Sequence, residues 1–453
     1  MRKKHRIQQT LAEPWLDLPY AKELEAIDGL LVSQPTIGEL AAQDLANGKY
    51  ETGRPGMTGE EVIRALTLKQ INQCSYADLW FQLHDSQTSR VFMGYGIGDQ
   101  IPSRSTLAEN IKKLRAETLE SIGRVVLAVA KEAGVEQGRK VRVDTTPVES
   151  NIHHPFESDQ LWDVVRVLTR LMRQAKELTA DSLTITFADR TRRAKRRYRG
   201  AWNAKTKAKR KEQYRDLLKV TKEVMAAARR VAQQLEEWSV QATGPSAKIS
   251  RIRGEIQRIM PLAETLFDTT MRRIINDEPV ASTEKVLSIF EDHTDVIRKD
   301  RRETHYGHKI CLTGGASSLI LDCMVLEGNP ADSSLALIAV KRQEDVYGRL
   351  PRQVALDGGF ASKTNLADIK DLGVQDVAFS KRRGLEISDM TKSVWVYRRL
   401  RDFRAGIEGC ISFLKRCFGL DRCTWRSFAS FKAYVQASVL SLNLLVLARH
   451  LIT

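Results

Sequence analysis

Asp144 and Asp357 each follow a short run with strand character, Lys140–Val143 and Gln353–Leu356. Carboxylates that end neighbouring strands of one sheet can converge on a hard cation, which prefers oxygen ligands. A third carboxylate, Glu408, stands in Arg404-Ala405-Gly406-Ile407-Glu408, and Lys415 lies seven residues further on. Offsets of 4 and 7 put Arg404, Glu408 and Lys415 on one face of a helix. Spacing alone leaves two readings open. One is an acidic cluster built to hold cations; the other is a salt-bridged helix face and two ordinary surface aspartates.

The elements that must position these residues are legible in outline. Thr58-Gly59-Glu60-Glu61 reads as a capping box ahead of Val62, Ile63, Leu66, Leu68 and Ile71. Ser75 suits the cap of a second short helix through Leu79, Trp80 and Leu83. The pair reads as a helical hairpin burying its apolar faces, with a helix-turn-helix-like unit as the alternative. Thr106-Leu107-Ala108-Glu109 opens a longer helix expected to run to about Gly134. The strand before Asp144 is expected to end there. Leu161 to Ile297 reads as helical throughout. Strands return at Lys309–Leu312 and Leu319–Leu326 around Gly314-Gly315, a hairpin. A helix (Ser333–Tyr347), the strand ending at Asp357, a helix (Ser362–Asp371) stopped by Gly373, and a strand (Val374–Phe379) follow. This order describes an α/β domain carrying a large helical insertion.

At 453 residues the chain exceeds what one hydrophobic core supports. Its 72 Lys and Arg outnumber 56 Asp and Glu, a net +16 that calls for a polyanionic partner, nucleic acid before membrane. The excess is concentrated. Residues 190–215 hold thirteen basic residues and one acidic, a net +12, which leaves +4 for the rest of the chain. Tyr198, Trp202 and Tyr214 are interleaved, offering flat faces beside cations. Arg192, Arg193, Arg196, Arg197 and Trp202 are the contacts expected of a nucleic-acid segment; a solvated helix or linker is the alternative. The basic opening, MRKKHRIQQTLAEPW, lacks the apolar core of a signal peptide. Val435–Leu451 is apolar but interrupted by Gln436, Ser441, Asn443, Arg449 and His450, and is expected to be a buried helix. Six cysteines without a CxxC pair argue against zinc and fit a reducing cytoplasm.

Asp144-Thr145-Thr146-Pro147-Val148-Glu149-Ser150-Asn151-Ile152-His153 resembles the first catalytic-Asp motif of DDE transposases of bacterial insertion sequences, of the ISNCY type. Leu356-Asp357-Gly358-Gly359-Phe360 is similar to the second block, and Arg404, Glu408 and Lys415 match the Arg, three residues, Glu, six residues, Lys signature. His293-Thr294-Asp295, Tyr306-Gly307-His308-Lys309, Gly53-Arg54-Pro55 and Ser103 to Leu114 also look like family blocks. One position departs: the signature has Tyr three residues before the Arg, where this chain has Arg401, with Tyr397 one turn earlier.

The resemblance implies a ribonuclease H-like catalytic domain with Asp144, Asp357 and Glu408 as a metal-binding triad, holding two divalent ions, Mg²⁺ or Mn²⁺. It implies cleavage at the ends of a mobile element and joining of the freed 3′-hydroxyl to target DNA. Arg404 and Lys415, with Arg416, would neutralise phosphates; Lys381, Arg382 and Arg383 are further backbone contacts or a solvated loop. The partner implied is double-stranded DNA, element ends and target, bound by a homodimer without a membrane. The expected domains are 1–135, helical and DNA-binding; 136–150, the start of the catalytic domain; 151–300, the helical insertion; and 301–453, the remainder. The 213 residues between the two aspartates, against 51 from Asp357 to Glu408, are what the insertion explains. Two competing functions are a non-catalytic DNA-binding descendant of a transposase and a ribonuclease H-like nuclease without strand transfer.

Overall fold

The computed structural model describes residues 15–45, 56–96, 98–241, 247–299 and 303–452. Gly53-Arg54-Pro55 and residues 1–14 of the basic opening lie outside them. The chain forms two compact units, one from residues 1–151 and 297–453 and the other from 152–296.

The first unit begins with seven helices: α1 (Pro19–Ser33), α2 (Pro35–Leu45), α3 (Gly59–Ile71), α4 (Tyr76–Asp85), α5 (Gln87–Met93), α6 (Arg104–Ile111) and α7 (Ala116–Glu132). Thr58 and Glu61 close the expected capping box on α3, at 3.1 and 2.6 Å. Ser75 and Asp78 do the same for α4. α3 is buried nearly all round, and the buried Arg64 on it is satisfied by Asp28, Glu60 and the Phe92 carbonyl. α4 buries Leu79 and Leu83 but leaves Trp80 and Phe81 exposed. The single helix expected from Thr106 to Gly134 is instead two, and its cap is Ser103, whose Oγ accepts the Thr106 amide. The break follows from Asp44, which takes both the amide and the guanidinium of Arg115, at 2.8 and 2.6 Å, and turns the chain before α7.

β1 (Lys140–Glu149) does not end at Asp144 as expected. The second unit follows it: α8 (Glu157–Leu178), α9 (Thr191–Asn203), α10 (Lys207–Gln241) and α11 (Ala247–Thr270). These helices share a core of their own. Leu161, Val164, Val165, Leu168 and Met172 of α8 repeat at helical spacing and pack with Leu217, Val224 and Val231 of α10 and Ile249, Ile256 and Ile259 of α11. α9 buries only Ala194 and Ala201, two small residues one heptad apart, so its long cationic side chains are left on the remaining faces. After α11 the helical reading fails: a π turn at Met271–Ile275 leads into irregular chain and β2 (Asp295–Lys299).

The sheet is completed by β3 (Glu303–Gly314), β4 (Ile320–Val325), β5 (Gln353–Leu356) and β6 (Asp376–Phe379). α12 (Ala336–Tyr347) and α13 (Lys363–Asp371) link its later strands, and α14 (Ile387–Met390), α15 (Val394–Cys417) and α16 (Phe428–Ile452) close the chain. The strand order is β2-β3-β1-β5-β6, with β4 also on β3. β1 pairs parallel with β5 only from Lys140 to Val143, opposite Gln353 to Leu356. From Arg142 to Glu149 it pairs antiparallel with β3. Asp144 therefore sits where the parallel pairing stops, and the antiparallel ladder carries the strand five residues beyond it. The overall class is mixed α/β, mostly helical, around one mixed sheet.

α16 is long and apolar enough to cross a membrane, yet 72% of its most apolar window is buried. It packs against α1, α3, α7 and β4. Its buried Asn443 accepts the Ile320 amide (2.9 Å) and donates to the Ile320 carbonyl (2.7 Å), holding β4 in register.

Candidate active site

Three elements of the first unit bring their carboxylates to one guanidinium. Asp144 comes from β1, Asp357 from the residue after β5, and Glu408 from the middle of α15. Arg404, one turn before Glu408, places Nη1 3.1 Å from Asp144 Oδ2 and Nη2 3.3 Å from Asp357 Oδ1 and 3.0 Å from Glu408 Oε1. The helix can lie this close to β1 because position 406 is glycine. A Cβ there would fall 1.8 Å from Nη1 of Arg142, a buried side chain that donates to the Phe403 carbonyl and covers the Phe403 ring.

The three acids differ in setting. The side chain of Asp144 is 16% exposed and Oδ1 accepts the Thr145 amide; that of Glu408 is 61% exposed. Burial by itself would push the Asp357 carboxyl up. The Ser380 hydroxyl at 2.9 Å, the amides of Gly358 and Gly359, and Arg404 outweigh it and hold the group below the ordinary carboxylate range. Asp357 is therefore ionised at neutral pH.

A supporting layer centres on Asp332, which carried no signature in the sequence. Thr145 Oγ donates to Asp332 (3.1 Å), and Lys309 Nζ pairs with the same carboxylate (2.9 Å). A Cβ on Gly359 would meet Asp332 Oδ2 at 2.7 Å, so the second glycine after Asp357 lets that block approach Asp332. Thr145, Gly359 and Lys309 each stand in one of the quoted blocks; His308, beside Lys309, is buried against Phe428 and Phe431. Tyr397 is buried and donates to the Phe379 carbonyl at 3.0 Å, fixing the end of β6 to α15.

Lys415 pairs with Asp421 at 3.4 Å. Together with Asp144, Thr146, Glu408 and Ser412 these two line a cleft of about 630 Å³. The basic segment 190–215 belongs to the second unit. Arg193 and Arg197 both grip Asp216 of α10, and Trp202 donates its indole N–H to Asp159 of α8 at 2.8 Å while meeting Phe156 edge-on. Arg192 and Arg196 are exposed, with no ion-pair partner among the described residues. Tyr214 is buried in the core of this unit, which corrects its expected role as an open stacking face.

Among the described residues no three His, Cys, Asp or Glu side chains stand close enough to hold an ion as arranged. The donor set nevertheless fits one. Three all-oxygen side chains surround a single positive charge, at distances of 3.0 to 3.3 Å. Hard divalent cations such as Mg²⁺ and Mn²⁺ take this type of ligand.

Two family models match the chain. The Transposase domain (DUF772) covers residues 19–113, the span from α1 through α6. The Transposase DDE domain covers residues 270–444, which include Asp357, Arg404, Glu408 and Lys415; Asp144 lies between the two matches. No curated protein and no solved structure matches. With transposase models matching both its first helices and the stretch that holds Asp357, Arg404 and Glu408, the chain belongs to the DDE transposases of insertion sequences.

Proposed function

We propose that this protein, a transposase of the ISNCY type, cuts DNA at the ends of its insertion sequence and joins the freed 3′-hydroxyl to target DNA, with Asp144, Asp357 and Glu408 as its catalytic carboxylates. The observation that carries this reading is their convergence on Arg404 from β1, the end of β5 and α15, across 260 residues between Asp144 and Arg404. The strand order β4-β3-β1-β5-β6, antiparallel over its first pairs and parallel over its last, supports a ribonuclease H-like domain. Residues 152–296 then form an insertion within it, and the helices α1 to α7 a DNA-binding domain.

Two divalent ions, Mg²⁺ or Mn²⁺, would supply activation of water or a 3′-hydroxyl and stabilisation of the leaving oxygen. The chain's own residues do the rest. Ser380 and the glycine amides keep Asp357 charged and oriented. Asp332, through Thr145, fixes the strand at Asp144. Glu408, the most exposed of the three, stands at the mouth of the cleft with Lys415, whose ammonium is placed to hold a phosphate. Arg404 neutralises the three acids, and with divalent ions bound to the carboxylates its charge would be free to meet the substrate phosphate. Two ends must be held at once, so the active species is a dimer on DNA. Six free thiols suit a reducing cytoplasm.

DNA carrying the element's ends, incubated with Mg²⁺ or Mn²⁺, tests this. Wild type should yield cleaved and joined products, and Asp357→Asn neither. Equal inactivity of both would favour the non-catalytic descendant, and hydrolysis with no joined product the nuclease.

A further inference from the structure

The segment between α15 and α16 is strapped to the end of β1. Glu149 donates its amide to the Asp421 carbonyl (3.0 Å), and the Cys423 amide donates to the Glu149 carbonyl (2.8 Å). From the other side Gln73, in the turn between α3 and α4, donates to the Arg416 carbonyl. A second cleft, of about 820 Å³, opens between this strap and the turn. Lys415 and Asp421 line it and the cleft of the acidic cluster alike, so the two adjoin.

Its lining is cationic and rich in donors. Lys69, Lys112, Lys415, Arg422 and Arg426 face one carboxylate, Asp421. Lys69 is only 8% exposed, and its ammonium has no hydrogen-bond or ion-pair partner among the described residues. It lies 5.1 Å from the centroid of the Tyr76 ring, and the Lys112 ammonium lies 5.7 Å from the same ring. Two cations thus lie against one aromatic ring. Among the described residues the buried indole N–H of Trp425 and the side-chain amide nitrogen of Gln70 also lack an acceptor, and the Tyr76 hydroxyl lacks a partner. Unpaired buried donors and a buried ammonium are costly, so they imply a ligand that supplies acceptor oxygens and negative charge together. A phosphodiester does both, and the aromatic rings suit the sugar or base beside it.

We propose that this cleft seats the sugar–phosphate backbone of the DNA strand that leads to the acidic cluster, with Lys69, Lys112 and Arg426 on its phosphates. The proposal rests on the reading of DNA as substrate and adds the path by which that DNA reaches Asp144, Asp357 and Glu408. It places a contact surface in the first unit, separate from the arginines of α9.

Anisotropy of a labelled 30-base-pair duplex bound to the full chain in EDTA, over a series of salt concentrations, is the test. Lys112→Ala combined with Arg426→Ala removes two exposed charges and should weaken binding on the order of tenfold. It should also reduce the slope of log affinity against log salt by about one per cation removed. Lys69→Met should lower the slope alone, while Lys112→Arg with Arg426→Lys should retain wild-type behaviour. Unchanged affinity and slope in the alanine and methionine variants, with binding lost in Arg192→Ala/Arg196→Ala, would overturn the cleft and leave the DNA reading standing. A wild type that binds no duplex would defeat both. Inorganic phosphate provides the last arm: if it changes tryptophan emission in wild type but not in Trp425→Phe, and the variants bind DNA normally, the cleft takes a free anion and the proposal fails.

Discussion

The guanidinium of Arg404 lies 3.1 Å from the carboxylate of Asp144, and the same group reaches Asp357 and Glu408. Without this charge three carboxylates would repel one another in a half-buried site. Arg404→Ala should therefore lower stability in EDTA by about 1.5–3 kcal/mol, the range for hydrogen bonds to charged groups. Added Mg²⁺ should narrow the deficit, because a divalent cation restores the missing charge. Thermal melts with and without Mg²⁺ check this. A deficit that Mg²⁺ leaves untouched would mean that the ion binds elsewhere.

The arginines of α9 divide into two kinds. Arg193 and Arg197 hold Asp216, whereas Arg192 and Arg196 are exposed and without an ion-pair partner among the described residues. Arg193→Ala/Arg197→Ala should lower the melting temperature, since it leaves Asp216 without its hydrogen-bonding partners. Arg192→Ala/Arg196→Ala should melt with wild type yet bind DNA more weakly and with a shallower salt dependence. Equal stability loss in the two pairs would erase the distinction.

Much of the site was legible because its signals are local. Gln353–Leu356 is a strand whose buried run, Val354 to Leu356, ends at Asp357 and two glycines, so strand, turn and acid were readable together. The helical offsets of Arg404 and Glu408 likewise require only one element. What escaped depends on distant partners. The alternation of Lys140 to Val143 reads as a strand that ends at Asp144, but β3 pairs the chain on to Glu149, with Pro147 opposite Lys309 and beyond the residues paired with β5. Asp44 breaks the helix before α7 from 71 residues away, and Asp332 reaches Thr145 across 187. Composition marked residues 190–215 as cationic but could not show that Asp216 and Asp159 would engage Arg193, Arg197 and Trp202.

His153, the last residue of the first acidic motif, donates from Nε2 to the carboxylate of Asp163 on α8 at 2.7 Å. The hydrogen bond to Asp163 raises its pKa above the ordinary histidine value, against a smaller opposing effect of burial. A raised folded pKa means that the protonated ring is favoured by folding. The contribution is complete below the unfolded value near 6.5 and disappears as pH rises through the higher folded value. His153→Gln should therefore melt below wild type at pH 5.5, with the gap closing by pH 9. A gap that is constant across this range would show that packing, not protonation, is what the substitution removes.

Asn443 and Ser441 make a matched pair of buried polar residues on α16. Asn443 satisfies both backbone groups of Ile320, whereas the Ser441 hydroxyl has no partner among the described residues. Asn443→Leu would strand a buried N–H and a buried C=O on β4, each costing about 1–3 kcal/mol. Ser441→Ala removes a hydroxyl that satisfies nothing and should change stability by less than about 0.5 kcal/mol in the destabilising direction. Urea midpoints at constant slope measure both. The order of the two effects matters more than their size. It asks whether α16 serves β4 only as apolar cover, in which case leucine would be the better residue at 443, or also fixes its register through one amide.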